Sequence, residues 1–527
     1  MSERSERLFE ALGQIDGQKI DEAAPEGRSR PHWKRWAALA AALALVIGAG
    51  SYVLPRLGQG GGAPGANNGG GANNTGAGGG GTGADGGSAF MSYAGPVFPL
   101  TLKEADPAVT AQREITMEFG PRSEWIFQWG AQVTDRYTLT NTAAEDRTVS
   151  VLYPFVSELQ ELWRFQPTLT VDGQTAETVL HAGAYAGGFV GAEGPEDGRR
   201  LNLSMPGSWE DYRALLAGGS YLAGALGEFV DLSGTPVTVY KFFDAWGPEP
   251  SSRAGVPNPT IRASFTLDYD KTTVLSYGFH GMTWDEEAGT MIQSFSIPQP
   301  DRLGYGDPCY LIVLGDDIGN LTTGGYVTGG TDADTEALSE YGVEVERYTT
   351  DLDSVLRDVT RRMYDNHIKN YAQDNFWNLS DVDYEMYHGL FCGDLLAFGL
   401  LSDHPAERYE TGWLEELDVV NVDRVFYLEA QVTIPAGGSV SLSADLWKEA
   451  SYDFYCGQAE NEQVHGYDMV TRLGSNLTFT GQAAVLEDGG QVEIAGQNFG
   501  FDLEKGVTRV ELDPNQEHYY LEVRQLP

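Results

Sequence analysis

Carboxylates at alternating positions are what a calcium loop is built from, and two stretches have them: Asp332, Asp334 and Glu336, and again Asp381, Asp383 and Glu385. Neither continues as such a loop must. The sixth positions hold Ala337 and Met386 where Gly is required, and the twelfth hold Val343 and Cys392 where Glu is required. Both triplets are therefore expected to be acids that open helices, where the helix dipole favours them. The three cysteines, Cys309, Cys392 and Cys456, lack CxxC spacing and have no HxxxH nearby. No zinc site or disulfide scaffold is expected from them; at most one bridge can form, and burial as small apolar side chains is the expectation for all three.

The eight histidines are scattered, and His181, His280 and His388 lie in apolar or glycine-rich stretches where a hydrogen-bonded structural role is the default. GxSxG, HExxH and nucleotide-loop patterns are absent. Serine, histidine and aspartate from distant positions can still meet in space. With 76 acidic residues, a carboxylate pair for glycoside cleavage, such as Asp285 with Glu287, can be nominated at will and none is singled out. The expectation is a non-catalytic chain without an assigned catalytic residue, metal ligand or cofactor. Aromatic side chains are the remaining chemistry. Among 11 Trp and 26 Tyr, Trp209, Trp246 and Trp284 fall where loops are expected, which makes them candidate ligand-contact residues able to stack on sugar rings or peptide side chains.

The elements that must hold these residues read mainly as strands. In IRASFTLDY, Ile261, Ala263, Phe265, Leu267 and Tyr269 alternate with polar residues, the period of a sheet with one buried face. Val133, Asp135, Tyr137 and Leu139 share one face of VTDRYTLT, and Val149, Val151 and Tyr153 one face of TVSVLY; joined by the turn-rich NTAAED, the two read as a hairpin. The pattern returns at Phe426, Leu428, Ala430, Val432 and Ile434, then at Val440, Leu442, Ala444 and Leu446 beyond Pro435-Ala436-Gly437-Gly438, and again in VTRVEL and HYYLEV. Two helices are expected between the strand-rich regions. One carries Leu352, Val355, Leu356, Val359 and Met363 on a face, opened by Asp351 and Asp353 and closed by Arg361 and Arg362. The other, from about Asp381 to Leu401, is apolar nearly all round and should be buried, despite Asp394 in its middle.

Ahead of these lies an uncharged apolar run, Trp36 to Leu54, and about 20 such residues suffice to cross a hydrocarbon core of roughly 30 Å. Arg28, Arg30, Lys34 and Arg35 precede it and only Arg56 comes soon after it, which predicts a cytoplasmic N-terminus. A cleaved secretory signal, for which Gly48 to Ser51 supply small residues, would need an unusually long charged leader. Leu8, Leu12 and Ile15 recur at helical spacing, so a short amphipathic helix is expected in the tail. From Gly58 to Ser88 the chain is nearly all Gly, Ala, Asn and Thr, the composition of a flexible tether. Acid is concentrated beyond it. Residues 1–35 hold seven basic and seven acidic side chains of the chain's 34 and 76, so the net charge of -42 belongs to the residues beyond the span. Such a field repels polyanions, which excludes nucleic acid as an expected partner.

LFEALGQIDGQKIDEAA together with HWKRWAALAAALALVIGAGSYVLPRLG resembles the cytosolic tail and anchor of single-pass, anti-sigma-factor-like proteins of Gram-positive bacteria, without the His and Cys pattern of their zinc-binding members. VTDRYTLTNTAAEDRTVSVLYPF and VTIPAGGSVSLSADL resemble the β-sandwich of vault and inter-alpha-trypsin (VIT) type surface domains. That likeness implies a fold and brings no catalytic residues. Such domains often accompany a von Willebrand A domain, whose metal site starts with Asp-x-Ser-x-Ser, and FVDLSGT offers Asp231, Ser233 and Thr235 in that order. Pro236 and the strand-like Val237 to Tyr240 stand where a helix should begin, and a plain loop is expected.

The fold expected is mainly β: an antiparallel β-sandwich ectodomain with a small helical insertion, preceded by one transmembrane helix and a disordered Gly-rich linker. Its divisions are 1–35 as cytosolic tail, 36–54 as membrane helix, 55–89 as linker, 90–349 as β-sandwich region, 350–410 as helical insertion and 411–527 as a C-terminal β region completing or adjoining the sandwich. The function expected is that of a membrane-anchored extracellular binding or sensing protein, its tail signalling to a cytosolic protein partner and its outer domain binding a glycan or peptide. The alternatives are an anchored hydrolase of cell-wall glycan or peptide and a structural surface protein without a ligand.

Overall fold

The computed structural model describes residues 94–120, 130–185, 209–248, 258–297, 307–329, 335–371, 379, 382–397, 412–417, 419–421, 423–453, 464–513 and 515–526. The tail, the apolar run 36–54 and the glycine tract lie outside these residues. Among the described residues no helix is long and apolar enough to cross a membrane.

The described chain is mainly β, and alternation explains how two sheets come to share a core. One sheet runs β1 (Thr101–Leu102), β4 (Arg147–Ser157), β16 (Arg424–Ile434), β7 (Val179–Tyr185). The other runs β22 (Arg509–Glu511), β20 (Thr478–Glu487), β2 (Val109–Glu118), β3 (Gly130–Asn141), β17 (Ser439–Glu449), β5 (Thr168–Val171), β6 (Gln174–Thr175). Val133, Tyr137 and Leu139 of β3 join Phe426, Leu428, Ala430, Val432 and Ile434 of β16 in one buried apolar cluster, so early and late strands of the chain pack together. The named strands pair antiparallel except β2 with β20.

The hairpin read in VTDRYTLT and TVSVLY is not formed. β3 pairs with β2 and β17, while β4 pairs with β1 and β16 in the other sheet. The turn-rich segment between them is a corner from sheet to sheet, and Pro435 to Gly438 is a second corner, between β16 and β17. Asn141, fully buried, ties the two: its amide donates to the carbonyl oxygens of Glu145 (2.8 Å), Ile434 (3.1 Å) and Pro435 (3.2 Å) and its Oδ1 accepts from the Ala143 N–H (2.8 Å). Satisfying buried carbonyls at a corner is what lets the chain leave one sheet without stranding polar backbone groups.

A smaller sheet, β18 (Tyr452–Asp453), β19 (Val464–Val470), β23 (His518–Gln525), β21 (Val492–Gln497), sends Tyr467, Met469, Leu521 and Val523 into the same core. The opposite face of β4 and β16 is covered by α1 (Trp209–Gly218) and α2 (Ser220–Leu226), where Leu216, Tyr221 and Ala225 meet Leu152, Val425 and Tyr427.

Between β7 and β16 the chain builds three further layers. An inner sheet runs β10 (Thr272–Tyr277), β13 (Cys309–Gly315), β8 (Pro236–Trp246), β15 (Gly342–Asp351), and an outer sheet runs β11 (Gly281–Asp285), β12 (Thr290–Ser296), β9 (Thr260–Thr266), β14 (Gly319–Tyr326). β13 is apolar on both faces because both are covered: Leu311 and Val313 pack with Ile261, Phe265 and Phe295 of the outer sheet, while Tyr310, Ile312 and Leu314 face the other way. The third layer is α3 (Leu352–Tyr371) with α4 (Tyr384–Ala397), whose buried side chains join Tyr310, Ile312 and Leu314 in the core cluster.

α3 buries Leu352, Val355, Leu356 and Val359, the face expected. Its end differs. Arg361 and Arg362 lie in mid-helix, and Lys369 occupies the last turn. Asp351 caps its start by accepting from Ser354 N (2.9 Å), and Asp383 caps α4 by accepting from Glu385 N (2.9 Å). Asp231 closes a turn by accepting from Ser233 N (2.9 Å), and β8 begins directly afterwards at Pro236. In β9, Arg262 is buried on the face expected to be polar and exposed, because the ring of Tyr326 stacks 3.8 Å from its guanidinium carbon.

Candidate functional site

The densest chemistry among the described residues lies between α3 and α4. His388 and Cys392 stand one turn apart on α4, and Asp353 comes from the first turn of α3. His388 Nε2 lies 3.2 Å from Asp353 Oδ1 and 3.6 Å from Cys392 Sγ. His388 and Cys392 are buried; the Asp353 side chain, 18 % exposed, forms the cluster's edge toward solvent.

Two hydroxyls stand around the inner ring nitrogen. Thr360 Oγ1 lies 2.8 Å from the carbonyl oxygen of Leu356 and 3.1 Å from Tyr384 Oη, and Tyr384 Oη lies 3.0 Å from the carbonyl oxygen of Arg357. His388 Nδ1 lies 2.9 Å from Thr360 Oγ1, a hydroxyl able to accept from Nδ1–H or to donate to a bare Nδ1. Nε2 faces the Asp353 carboxylate. Burial holds the imidazole below its ordinary pKa, which disfavours a second proton there, although Asp353 pulls the other way. Burial also pushes the Cys392 thiol up to about 12, so it is no nucleophile as it stands. Asp353 Oδ2 accepts from Arg357 Nε (2.8 Å), and Arg357 Nη1 reaches both oxygens of Glu385 (3.0 Å each).

A second cluster gathers carboxyls around the helical turn Leu162–Phe165, which packs against β4 and β17. Arg164 contacts Glu161 (3.6 Å) and Glu449 (2.5 Å). Burial pushes Glu161 up to about 7, with Glu449 and Asp423 adding to the effect and Arg164 opposing it. Burial and Glu449 likewise push Asp423 up to about 6, against Lys448. Lys448 is itself lowered by burial.

The candidate aromatic residues are not in loops. Trp209 opens α1, with its side chain outside what is described; Trp246 ends β8; Trp284 lies on β11, an edge of the outer sheet. Trp246 and Trp284 are 56 % and 51 % exposed, which a strand end and a sheet edge permit as readily as a loop would. The three stand on three separate elements. Cys309 and Cys392 are free thiols buried in different clusters, and Cys456 lies outside the described residues. His181 pairs with Glu429 (2.8 Å) and His280 is exposed. Asp285 accepts from Ala288 N (2.9 Å) in the turn between β11 and β12. Of the acidic triplets, Asp332, Asp334 and Asp381 lie outside the described residues.

Sequence alone does not single out the grouping of Asp353, His388 and Cys392. Its one local signal is the His-x-x-x-Cys spacing, which on a helix puts both side chains on one face; Asp353 arrives from another helix and leaves no local trace. No family model matches the chain, and no curated protein matches it.

Proposed function

We propose that this chain is a membrane-anchored extracellular binding or sensing protein. In this reading residues 36–54 span the membrane, 55–89 form the tether, the tail 1–35 meets a cytosolic protein partner, and the β body binds a glycan or peptide outside. The observation that carries it is the pair of indoles, Trp246 and Trp284, each more than half in water on the layers inserted between β7 and β16. Large aromatic surfaces gain free energy when covered, and rigid strands present them at low entropic cost, which suits them to stacking on sugar rings or peptide side chains. The inserted layers leave and re-enter the sandwich through β7 and β16, which pair directly (Phe426 opposite Ala182) on one side of the four-stranded sheet.

The test is a screen of the full chain against glycan and peptide arrays, then titration of the best ligand with Trp246→Ala and Trp284→Ala. Saturable binding that at least one substitution weakens about tenfold or more supports the reading. Retention of no ligand, or binding that both substitutions leave unchanged, counts against it.

A further inference from the structure

We propose that Asp353, His388 and Cys392 bind a single divalent cation of the zinc class through Oδ1, Nε2 and Sγ. This inference stands apart from the anchored-binding reading and does not depend on it.

Two of the three spacings are those of a coordination sphere. Nε2 is 3.2 Å from Oδ1 and 3.6 Å from Sγ, and the three atoms lie within 4.8 Å of one another. Around a tetrahedral Zn2+ with bonds of roughly 2.0–2.3 Å, nitrogen and oxygen ligands sit about 3.3 Å apart and nitrogen and sulfur about 3.5 Å.

The second ring nitrogen of His388 has a polar partner as well. Thr360 Oγ1 lies 2.9 Å from Nδ1, and in the tautomer that donates to it Nε2 offers its lone pair to a cation held between the ring and the Asp353 oxygen 3.2 Å away. An imidazole fixed through its second nitrogen by a neighbouring oxygen is the usual support of a metal-ligating histidine.

Charge also balances. A divalent ion with the Asp353 carboxylate and a Cys392 thiolate sums to zero, and Arg357 remains paired with Glu385 at the rim, so the cation brings no net charge into a buried site. One sulfur, one imidazole nitrogen and one carboxylate oxygen suit Zn2+ better than a hard cation such as Ca2+ or Mg2+. Three protein ligands leave a fourth position for water.

Co2+ is the probe, because thiolate ligation and tetrahedral geometry each give it a distinct absorption. The full chain, purified in detergent and stripped with a chelator, is titrated with Co2+ and then with Zn2+. The expected result is a thiolate-to-cobalt charge-transfer band that saturates at one equivalent, together with the visible bands of tetrahedral cobalt, both bleached by Zn2+. A Cys309→Ala, Cys456→Ala double variant should keep the bands and Cys392→Ala should lose the charge-transfer band. Thr360→Val, nearly isosteric, should weaken Co2+ binding about tenfold. Circular dichroism checks each variant's fold, and the first readout needs no variant at all. A chain with no charge-transfer band at saturating Co2+, or a folded Cys392→Ala variant that retains it, would overturn the assignment.

Discussion

Asp394, on α4, and Arg424, the first residue of β16, form an ion pair with both side chains almost wholly withdrawn from water. One partner belongs to the helices that cover the inserted sheet and the other to the central strand pair of the sandwich. The apolar stretch around Asp394 thus tolerates a carboxylate because a guanidinium from a distant strand meets it. A buried pair of this kind adds little net stability over apolar packing, but removing one member strands the other.

Asp394→Ala is therefore expected to cost about 3–5 kcal/mol, and Asp394→Leu combined with Arg424→Met to recover most of that loss. Denaturant midpoints read by tryptophan fluorescence check this. A loss below about 1 kcal/mol in Asp394→Ala, the range of an exposed pair, would contradict it.

Arg113 and Asp135 are the corresponding pair inside the sandwich. Arg113 Nε and Nη2 reach the two Asp135 oxygens at 2.8 Å each, and its Nη1 reaches the carbonyl oxygen of Val470 (2.8 Å). Tyr137 and Tyr153 donate to Asp135 Oδ2 at 2.7 and 3.2 Å. Burial works against the Arg113 charge, yet Asp135 and the tyrosines hold its pKa above the ordinary value. Asp135→Asn is expected to cost about 3 kcal/mol or more, and Tyr153→Phe, which removes the longest of these bonds to a shared oxygen, about 1 kcal/mol. Thermal or chemical unfolding measures the order, and a reversed order would contradict the network described.

Glu161 supplies a pH dependence with a definite sign. Folded, it holds its proton to about pH 7; unfolded, it releases it at the ordinary carboxylate value of about 4.3. Between those values the folded chain binds more protons, so this contribution is complete below the lower value and is lost as pH rises through the upper one. Glu161→Gln should leave stability unchanged near about pH 4 and raise it by on the order of 1–2 kcal/mol near about pH 8. An equal change at both pH values would contradict the assignment.

Distance along the chain decides how much of this is legible in the sequence. The inward face Val133, Asp135, Tyr137, Leu139 can be read because a two-residue period is local, and all four are buried. That Asp135 answers Arg113 from the neighbouring strand cannot. A turn-rich segment signals reversal, but it does not say whether the returning strand joins its own sheet or the facing one, which is why β3 and β4 read as a hairpin and are not one. His388 and Cys392 carry a readable spacing, whereas Asp353 lies 35 residues away from His388. Period alone places Arg262 on a polar face, and Tyr326, from β14, covers it there.

The central claim, that an acidic β body is held outside the cell by the span at 36–54, is tested most directly by treating intact cells that carry the full chain with a protease and sequencing the released material. Glycine-rich tethers are the preferred sites of such cleavage. A folded fragment beginning between Gly58 and Phe90 should appear in the medium while the tail stays with the cells. Full-length protein that survives intact until the cells are lysed, and then partitions into the soluble fraction, would contradict the account.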